Sequence, residues 1–489
     1  MRRLVVLLAV AMLAVGAGCV TAPPPADPVG PTTADTPPDL DPEPTDDPPP
    51  DPPTDRLGWE DGYWHNATLS VTPEDGLTRE ELEAVVARGQ ARVEAIRGLE
   101  FDREVQVRII DRETFREESA NRSAPTTNQT LHQDVKFEAL FFLGENESAV
   151  AQQEANRASG VLGYYDPGTH NITIVSDSGP PLQMDEVTLA QELFHAVQEE
   201  HFEVSNTSPD TEEARNAHLG IVEGDGNYVD YLYEQRYADA LVMPERTGGG
   251  GSGGDRHIGL FALRYQPYSD GPPFVAGIQE RSGWAGVNDV YDAPPESSEQ
   301  TIHPEKYRQD PPTPVHIRDR SGPAWSVPDQ GEGNVEYAEF GEAGLYAMLW
   351  YPSFAATERR GTVTDVVIPY RHFFQGGSPP DAYNYSHPTS AGWEGDRLLP
   401  YVRNDSASTN ETGYVWRLEW ESAAEAREFV AAYETLLDHH GADRLDGATY
   451  RIEDGPFADA FAVRTDGSTV TIVNAPTVEE LAAVHDRPA

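Results

Sequence analysis

Three residues of one short segment have the types and spacing of a metal-dependent catalytic site. The segment, residues 185–202, reads DEVTLAQELFHAVQEEHF. Gln191, Glu192 and His195 occupy the positions of an H-E-x-x-H motif, in which two histidines bind zinc and the glutamate activates a water molecule. Gln191 replaces the first histidine, and its neutral amide oxygen is a weaker zinc ligand than imidazole. The segment therefore predicts a weakened zinc site.

A further ligand must come from another part of the chain, and Glu223 is the candidate. It lies in the run GIVEGDGNYVDYLYEQ, at a separation from His195 that suits two adjacent antiparallel helices. Gly220, Gly224 and Gly226 have no side chain, so this second helix can approach its neighbour closely. We therefore expect His195 and Glu223 to bind the metal from facing helices.

The remaining roles of such a site are assigned to other polar residues. Glu192 is predicted to be the general base that takes a proton from water as the water attacks a peptide carbonyl. Asp225 or Asn227 is expected to orient His195 from outside the site. His303, in the run HPEKY, is a candidate for polarising the oxyanion, although a histidine in such a loop is more often held by structural contacts.

The short motif alone does not establish a catalyst. A Glu-x-x-His match is expected about once by chance in a chain this acidic. Loss of a ligand also weakens metal binding, since even an outer partner of a ligand is worth about 10- to 100-fold in affinity. Two interpretations stay open: a working zinc peptidase, and a domain of the same shape whose catalysis is reduced or absent.

The segment with the metal motif has the pattern of an amphipathic helix. Apolar residues recur in it at three- and four-residue steps, and they are Leu189, Ala190, Leu193, Phe194 and Val197. Asp185 is the expected N-cap. On such a helix Gln191 and His195 project from one face.

Other elements are expected around this helix. Thr78 and Glu81 form a capping box that opens a preceding helix. The remaining elements before residue 242 are predicted to be a strand, a hairpin and a long second helix, at 104–110, 163–175 and 211–241.

The hydrophobic pattern changes in the last third of the chain. We place a domain boundary between residues 355 and 356. Residues 57–355 are predicted to form the domain that holds the metal motif, and 356–489 a smaller α+β module with a helix capped by Ser422. The predicted fold class of the whole chain is α+β.

The run GWEGDR, residues 392–397, lies in this second module. Its glycines predict a turn, and Asp396 with Arg397 is expected to be an ordinary surface pair. Trp393 and Trp416 are predicted to be core residues of the module.

The charge of the chain excludes one broad class of partner. Among 489 residues there are 35 Lys and Arg against 83 Asp and Glu, for a formal net charge of -48. Such a surface repels nucleic acid and anionic lipid, so DNA or RNA binding is not expected. Only Lys136 and Lys306 are lysines. An acidic surface with so few lysines resembles that of proteins from halophilic archaea, where concentrated salt screens the self-repulsion.

The first residues predict export and lipid attachment. Two arginines precede an apolar run over 4–15, which is too short for a membrane span and fits a signal peptide at 1–18. Cys19 follows and is the only cysteine, so it is expected to carry a lipid. The alternative is cleavage that leaves a soluble protein with a free thiol.

Residues 19–56 are rich in Pro, Asp and Thr and are predicted to form a disordered stalk. Several N-x-S/T sequons follow in the rest of the chain and suit a glycosylated surface protein. The predicted location is the extracellular face of the cell membrane, with the lipid at Cys19 as the anchor.

Four runs together carry a resemblance to a known family. TLAQELFHAVQEEHF, IVEGDGNYV, SSEQTIHPEKY and GWEGDR resemble haloarchaeal surface lipoproteins whose central region is similar to gluzincin-type metallopeptidases (zincins, peptidase MA-like). The resemblance extends from about residue 57 to the C-terminus. It implies a zincin-like domain with an edge strand along a substrate cleft. It also implies Glu192 as base, His195 and Glu223 as ligands, and zinc as cofactor, with Gln191 departing from the pattern.

These observations lead to one functional hypothesis and two alternatives. The chain is expected to be a lipid-anchored surface protein with a zinc-dependent peptide hydrolase domain, whose activity is reduced or lost because of Gln191. The alternatives are a non-catalytic domain that binds peptides or envelope proteins, and a structural component of the envelope. The expected partners are therefore a peptide or envelope protein, and the membrane only through the lipid anchor.

Overall fold

The computed structural model describes residues 49–72, 76–120, 125–176, 186–242, 256–377, 380–404 and 411–485. The predicted signal peptide, Cys19, most of the predicted stalk and the expected N-cap Asp185 lie outside these ranges. Within them, no helix combines the length and the apolar character that crossing a membrane requires. The fold is α+β, with 46% helix and 17% strand.

The first two thirds of the chain consist mainly of helices with one small sheet. In order these elements are β1 (Trp59–Glu60), β2 (Tyr63–Trp64), α1 (Arg79–Arg97), β3 (Gln106–Asp111), α2 (Arg112–Ala120), α3 (Thr127–Ala139), α4 (Ala149–Gly160), β4 (Gly163–Asp166), β5 (Asn171–Ser176), α5 (Glu186–Phe202), α6 (Glu212–Tyr237), α7 (Ile258–Asp292) and α8 (Glu299–Ile302).

The last third contains most of the strands. These elements are β6 (Trp325–Ser326), α9 (Gly341–Arg360), β7 (Trp393–Arg403), β8 (Thr412–Trp420), α10 (Ala423–His439), β9 (Asp443–Asp446), β10 (Thr449–Arg451), β11 (Ala460–Asp466), β12 (Thr469–Ala475) and α11 (Leu481–Val484).

Helix α1 begins and ends at the residues that its sequence requires. The Thr78 hydroxyl accepts a hydrogen bond from the Glu81 backbone N–H at 3.2 Å, and the Glu81 carboxylate accepts one from the Thr78 N–H at 2.8 Å. This reciprocal pair is the predicted capping box. Gly98 ends the helix in the left-handed conformation, with φ of 72°.

A three-stranded mixed sheet lies beside the helix with the metal motif. Strand β5 pairs in parallel with β3 and antiparallel with β4, so the predicted hairpin is confirmed and β4 is an edge of the sheet. Helices α1, α5 and α6 and this sheet share one hydrophobic core. Helix α5 therefore packs against helices α1 and α6 and against the edge strand β4.

Helices α5 and α6 run antiparallel, because Glu186 contacts Tyr233 while Gln198 contacts Val222. The three glycines of α6 allow close approach, as predicted, but each faces a different neighbour. A Cβ at Gly226 would lie 3.3 Å from the His195 ring in α5. A Cβ at Gly224 would lie 2.7 Å from backbone atoms of α7, and one at Gly220 would lie 2.6 Å from a side chain of α8.

The last third forms a seven-stranded antiparallel sheet in the order β6-β7-β8-β12-β11-β10-β9. One face packs in a large core with residues of α3, α7, α9 and α10, and the other face packs with α11. Apolar residues from before and after residue 355 thus share one core, for example Phe137 and Leu263 with Trp416 and Ile472. The boundary predicted between residues 355 and 356 falls inside α9.

The run GWEGDR is not the turn that its glycines predict. Residues from Trp393 onward belong to β7, which pairs with β8. Asp396 is 3% exposed. Its carboxylate accepts hydrogen bonds from the Phe340 and Gly341 backbone N–H groups at the start of α9 and from the indoles of Trp393 and Trp416. The expectation of a surface Asp396–Arg397 pair is therefore wrong, because these four donors hold the carboxylate in the core.

Both lysines of the chain lie in ion pairs. Lys136 is buried, with its Nζ 3.0 Å from a Glu212 carboxylate oxygen. Lys306 Nζ lies 2.7 Å from Glu299 and 3.4 Å from Asp310. Their ammonium groups therefore neutralise internal carboxylates.

Candidate metal centre

The facing helices α5 and α6 bring His195 and Glu223 together. His195 Nε2 lies 3.5 Å from Glu223 Oε2, and both side chains are fully buried. The close approach depends on Gly226, since a Cβ at this position would lie against the His195 ring. The predicted pair of ligands therefore meets at one point between the two helices.

Gln191 and Glu192 complete the centre from two sides. Gln191 lies one turn before His195, and a Cβ at Gly226 would lie 3.8 Å from its amide nitrogen, so both side chains face α6 as predicted. Glu192 lies beside the sheet edge, where a Cβ at Gly163 would be 3.1 Å from its Oε1 atom. Gly163 is the first residue of β4, so the predicted base lies next to the edge strand.

The polar atoms of this centre are buried and unpaired. Among the described residues, no hydrogen-bond partner of normal distance and angle is available to either side-chain atom of Gln191, either oxygen of Glu192, Nε2 of His195 or either oxygen of Glu223. A buried polar atom without a partner costs about 1–3 kcal/mol. A cluster of them indicates a bound species such as an ion or water.

Burial and mutual charge set the protonation of the centre. Burial raises the pKa of Glu192 to about 8; the charge of His195 opposes this rise and that of Glu223 adds to it. Burial alone would lower the pKa of His195, but interactions with Glu223, Glu192 and Gln198 outweigh it and raise the pKa to about 9. Without a metal at neutral pH, His195 is therefore an imidazolium paired with Glu223, and Glu192 is largely neutral.

The direct partner of His195 outside the centre is Gln198. Its amide oxygen lies 2.6 Å from His195 Nδ1. Asp225 instead accepts hydrogen bonds from Arg97 and Tyr291, and Asn227 donates to the backbone carbonyl of Glu223 at 2.8 Å. Neither Asp225 nor Asn227 therefore contacts His195 directly, because Gln198 lies one helical turn after His195 and occupies that place; Asp225 is linked to His195 only through Tyr291 and Gln198.

Tyr268 is a residue of the centre that sequence reasoning missed. It lies in α7, and burial together with the charge of Glu223 raises its pKa well above the usual value, with a smaller contribution from Glu192. Arg215, two turns before Glu223 in α6, opposes this rise. In the sequence, Gly224 indicates that some element packs closely on α6, but not that this element is α7. In the structure, a Cβ at Gly224 would meet the backbone of Gly271 in α7.

His303 belongs to a separate group of side chains. Its Nε2 lies 3.1 Å from an oxygen of the buried Glu342. The pKa of His303 is raised: burial lowers it, but the hydrogen bond and charge of Glu342 outweigh burial. The neighbours that influence it are Glu342, Lys306 and Glu299, so its described contacts are those of a loop histidine held by an ion pair.

The chemical types of the donors suit a divalent metal ion. An imidazole nitrogen, carboxylate oxygens and an amide oxygen are all ligands that such ions take in proteins, and here they are buried together without partners. The amide of Gln191 makes the set weaker than one with two imidazoles.

Among the described residues, two groups of acids bring their oxygens close enough together to hold a cation, namely Glu138 with Glu145 and Asp459, and Glu299 with Asp310 and Glu421. The second group already surrounds the ammonium of Lys306. The ligand atoms of Glu192, His195 and Glu223 do not all lie within 4.8 Å of one another as those of the two acid groups do, so a bound ion would draw these side chains closer together.

Comparison with known proteins adds one finding. Residues 327–485 match a family described as a domain of unknown function, DUF8575. This match includes α9, the strands β7 to β12 and Asp396. It begins well after Glu223, so it does not include the residues of the candidate centre. No curated protein and no solved structure matches the chain.

Proposed function

We propose that the chain is a cell-surface lipoprotein whose central domain is zincin-like and hydrolyses peptides slowly. A divalent metal, zinc in the first instance, would be held by His195, Glu223 and the amide oxygen of Gln191. The location rests on the apolar run at 4–15 and on Cys19. The low rate follows from Gln191, because an amide oxygen binds zinc less tightly than the imidazole it replaces.

The observation that carries this proposal is the meeting of His195 and Glu223, 3.5 Å apart between two helices, with Gln191 and Glu192 beside them. All four side chains are fully buried, and apart from the His195–Glu223 pair their inward-facing atoms have no hydrogen-bond partner of normal distance and angle among the described residues. Each buried polar atom left without a partner costs about 1–3 kcal/mol, so the side chains of Gln191 and Glu192 favour a bound species beside the His195–Glu223 pair. A bound cation satisfies the lone pairs of the ligands at once.

The residues around the ion have separate tasks in the proposed reaction. When bound, the metal would supply Lewis acidity for the attack of water on a carbonyl. Glu192 would take the proton from the water, because a bound cation would lower the pKa of this carboxylate below its metal-free value and favour the ionised form that a general base requires. Strand β4 is an edge of its sheet and its first residue lies beside Glu192, and an extended peptide can add to an edge strand through main-chain hydrogen bonds.

A second candidate is a non-catalytic role in binding peptides or envelope proteins. It is favoured by the complete burial of Glu192, His195 and Glu223, because a peptide carbonyl reaches them only if covering residues move. It is also favoured by the His195–Glu223 pair, which can balance its own charge without a metal.

The test measures zinc content and cleavage together in the full chain. We expect wild type to retain about one zinc per chain after dialysis and to cleave a fluorogenic peptide library. Glu192→Gln should keep the zinc and lose about 10²- to 10⁴-fold in rate, the usual contribution of a general base. Glu223→Gln should lose the zinc. Glu213→Gln is the matched control, because Glu213 is also a buried acid of α6 but bonds to the Ser298 N–H.

Two outcomes would contradict the proposed reaction. A folded wild type that holds no zinc at micromolar free zinc would exclude the metal. Zinc binding with equal cleavage by wild type and Glu192→Gln would remove Glu192 as the base. Binding of library peptides without any cleavage would favour the second candidate.

A further inference from the structure

A chain of buried hydrogen bonds leads from His195 away from the metal centre. The Gln198 amide oxygen lies 2.6 Å from His195 Nδ1. On its other side, the Gln198 amide nitrogen lies 2.8 Å from the Val222 carbonyl oxygen and 2.7 Å from the Tyr291 hydroxyl. His195 and Gln198 are fully buried, so water does not compete for these contacts.

The far end of the chain fixes the direction of every hydrogen bond in it. The Asp225 carboxylate forms a buried ion pair with Arg97 at 3.0 Å, and it lies 2.8 Å from the Tyr291 hydroxyl. A carboxylate only accepts hydrogen bonds, so Tyr291 donates its single proton to Asp225. The Tyr291 oxygen must then accept from Gln198.

The same reasoning orients the Gln198 amide. Val222 offers a carbonyl oxygen and Tyr291 offers a lone pair, so both need a donor, and only the NH₂ group of Gln198 supplies two. The amide oxygen therefore faces His195. The opposite orientation would leave the Tyr291 oxygen without a donor, remove the second donor of the Val222 carbonyl and place an N–H group against the ring nitrogen.

We infer that Gln198 is a positioning residue that keeps the proton of His195 on Nδ1 and leaves Nε2 as the atom presented to Gln191, Glu192 and Glu223. Gln198 contacts none of those three side chains in the described structure and acts only through His195. The orientation is set by Arg97 and Asp225, at the other end of the chain of hydrogen bonds. The inference rests on the proposed function only for its effect on metal affinity.

The first measurement reads the proton directly and needs no metal. Metal-free protein is labelled with ¹⁵N-histidine, and two-bond ¹H–¹⁵N spectra are recorded above the pKa of the imidazole. The His195 signal is identified by its absence in His195→Gln. We expect wild type to carry the proton on Nδ1, and Gln198→Leu to show a mixture in which Nε2 is also protonated.

Two further variants make this measurement specific. Tyr291→Phe removes the hydroxyl that orients Gln198 but keeps the ring, which stacks on Phe202 with centroids 3.9 Å apart, so it should give a smaller shift toward Nε2. It also replaces Gln198→Leu if that variant does not fold. Gln300→Leu, which removes another buried glutamine with hydrogen bonds on both sides of its amide, should leave the His195 signal unchanged.

The second measurement is zinc affinity by competition with a chromophoric chelator. Loss of an outer partner of a metal-bound histidine weakens binding by about 10- to 100-fold, and we expect a loss in that range for Gln198→Leu and none for Gln300→Leu. Equal affinity in wild type and Gln198→Leu would overturn the inference, as would a wild-type spectrum with the proton on Nε2. A wild type that binds no zinc but carries the proton on Nδ1 would refute the proposed function and leave the inference standing.

Discussion

Replacing Gly224 with alanine should force helices α6 and α7 apart at the point where they cross. A Cβ at Gly224 would lie 2.7, 2.8 and 2.9 Å from the carbonyl carbon, oxygen and Cα of Gly271. Non-bonded carbon atoms prefer separations of about 3.5–4.0 Å. The atoms that must move belong to the backbone of Gly271, so no side-chain rotation can relieve the clash.

The magnitude follows from two opposing effects. Overpacking of a tight core contact costs up to about 3 kcal/mol, and the better helix propensity of alanine returns about 1 kcal/mol. Gly224→Ala should therefore destabilise the protein by about 2 kcal/mol. Gly271→Ala should act in a similar way, because its Cβ would lie 2.7 Å from the Gly220 carbonyl oxygen and from the Gly224 Cα.

The assay is equilibrium unfolding by denaturant in concentrated salt, followed by tryptophan fluorescence. Gly447→Ala is the matched control: a Cβ there would meet no atom within 4 Å, so the variant should be neutral or stabilised by up to about 1 kcal/mol. The double variant of Gly224 and Gly271 should cost about 1 kcal/mol less than the sum of the single variants, because one separation of the helices accommodates both. A Gly224→Ala protein as stable as wild type, or strict additivity in the double variant, would refute this account of the crossing.

The remaining predictions concern two buried acids. Asp396→Ala leaves four buried donors unpaired and should cost about 4 kcal/mol or more at roughly 1 kcal/mol each. Asp454→Ala, at an exposed site, should change the free energy of unfolding by less than about 0.5 kcal/mol; equal effects of the two variants would contradict the buried network. Burial raises the pKa of Glu213 from 4.5 to about 8, so the folded state holds this proton more tightly than the unfolded chain. The stability that results is fully present below about pH 4.5 and is lost as the pH rises through about 8. Glu213→Gln should flatten this fall in melting temperature, and an unchanged pH profile would exclude Glu213 as its source.

Elements that depend on local sequence were predictable. The capping box of Thr78 and Glu81 and the helix with His195 are confirmed because their signals lie within a few residues of each other. The meeting of His195 with Glu223 also followed, since the glycines of α6 predict close approach to a neighbouring helix.

Features that depend on distant residues were not predictable in the same way. Gln198 was missed because its role comes from Tyr291, which is far along the chain. The turn predicted at Asp396 failed because donors from α9 and from Trp416 hold the carboxylate in a buried strand. Tertiary packing overrode the local glycine signal there.

The placement of the two lysines has a practical consequence for chemistry on the intact protein. Amine-directed dyes and cross-linkers react with an accessible, uncharged amine, whereas Lys136 is buried against Glu212 and the Lys306 ammonium is held among three carboxylates. Such reagents should leave both side chains unmodified until the chain unfolds. Carboxylate-directed coupling therefore suits surface labelling of this protein, and the appearance of modified lysine can report its denaturation.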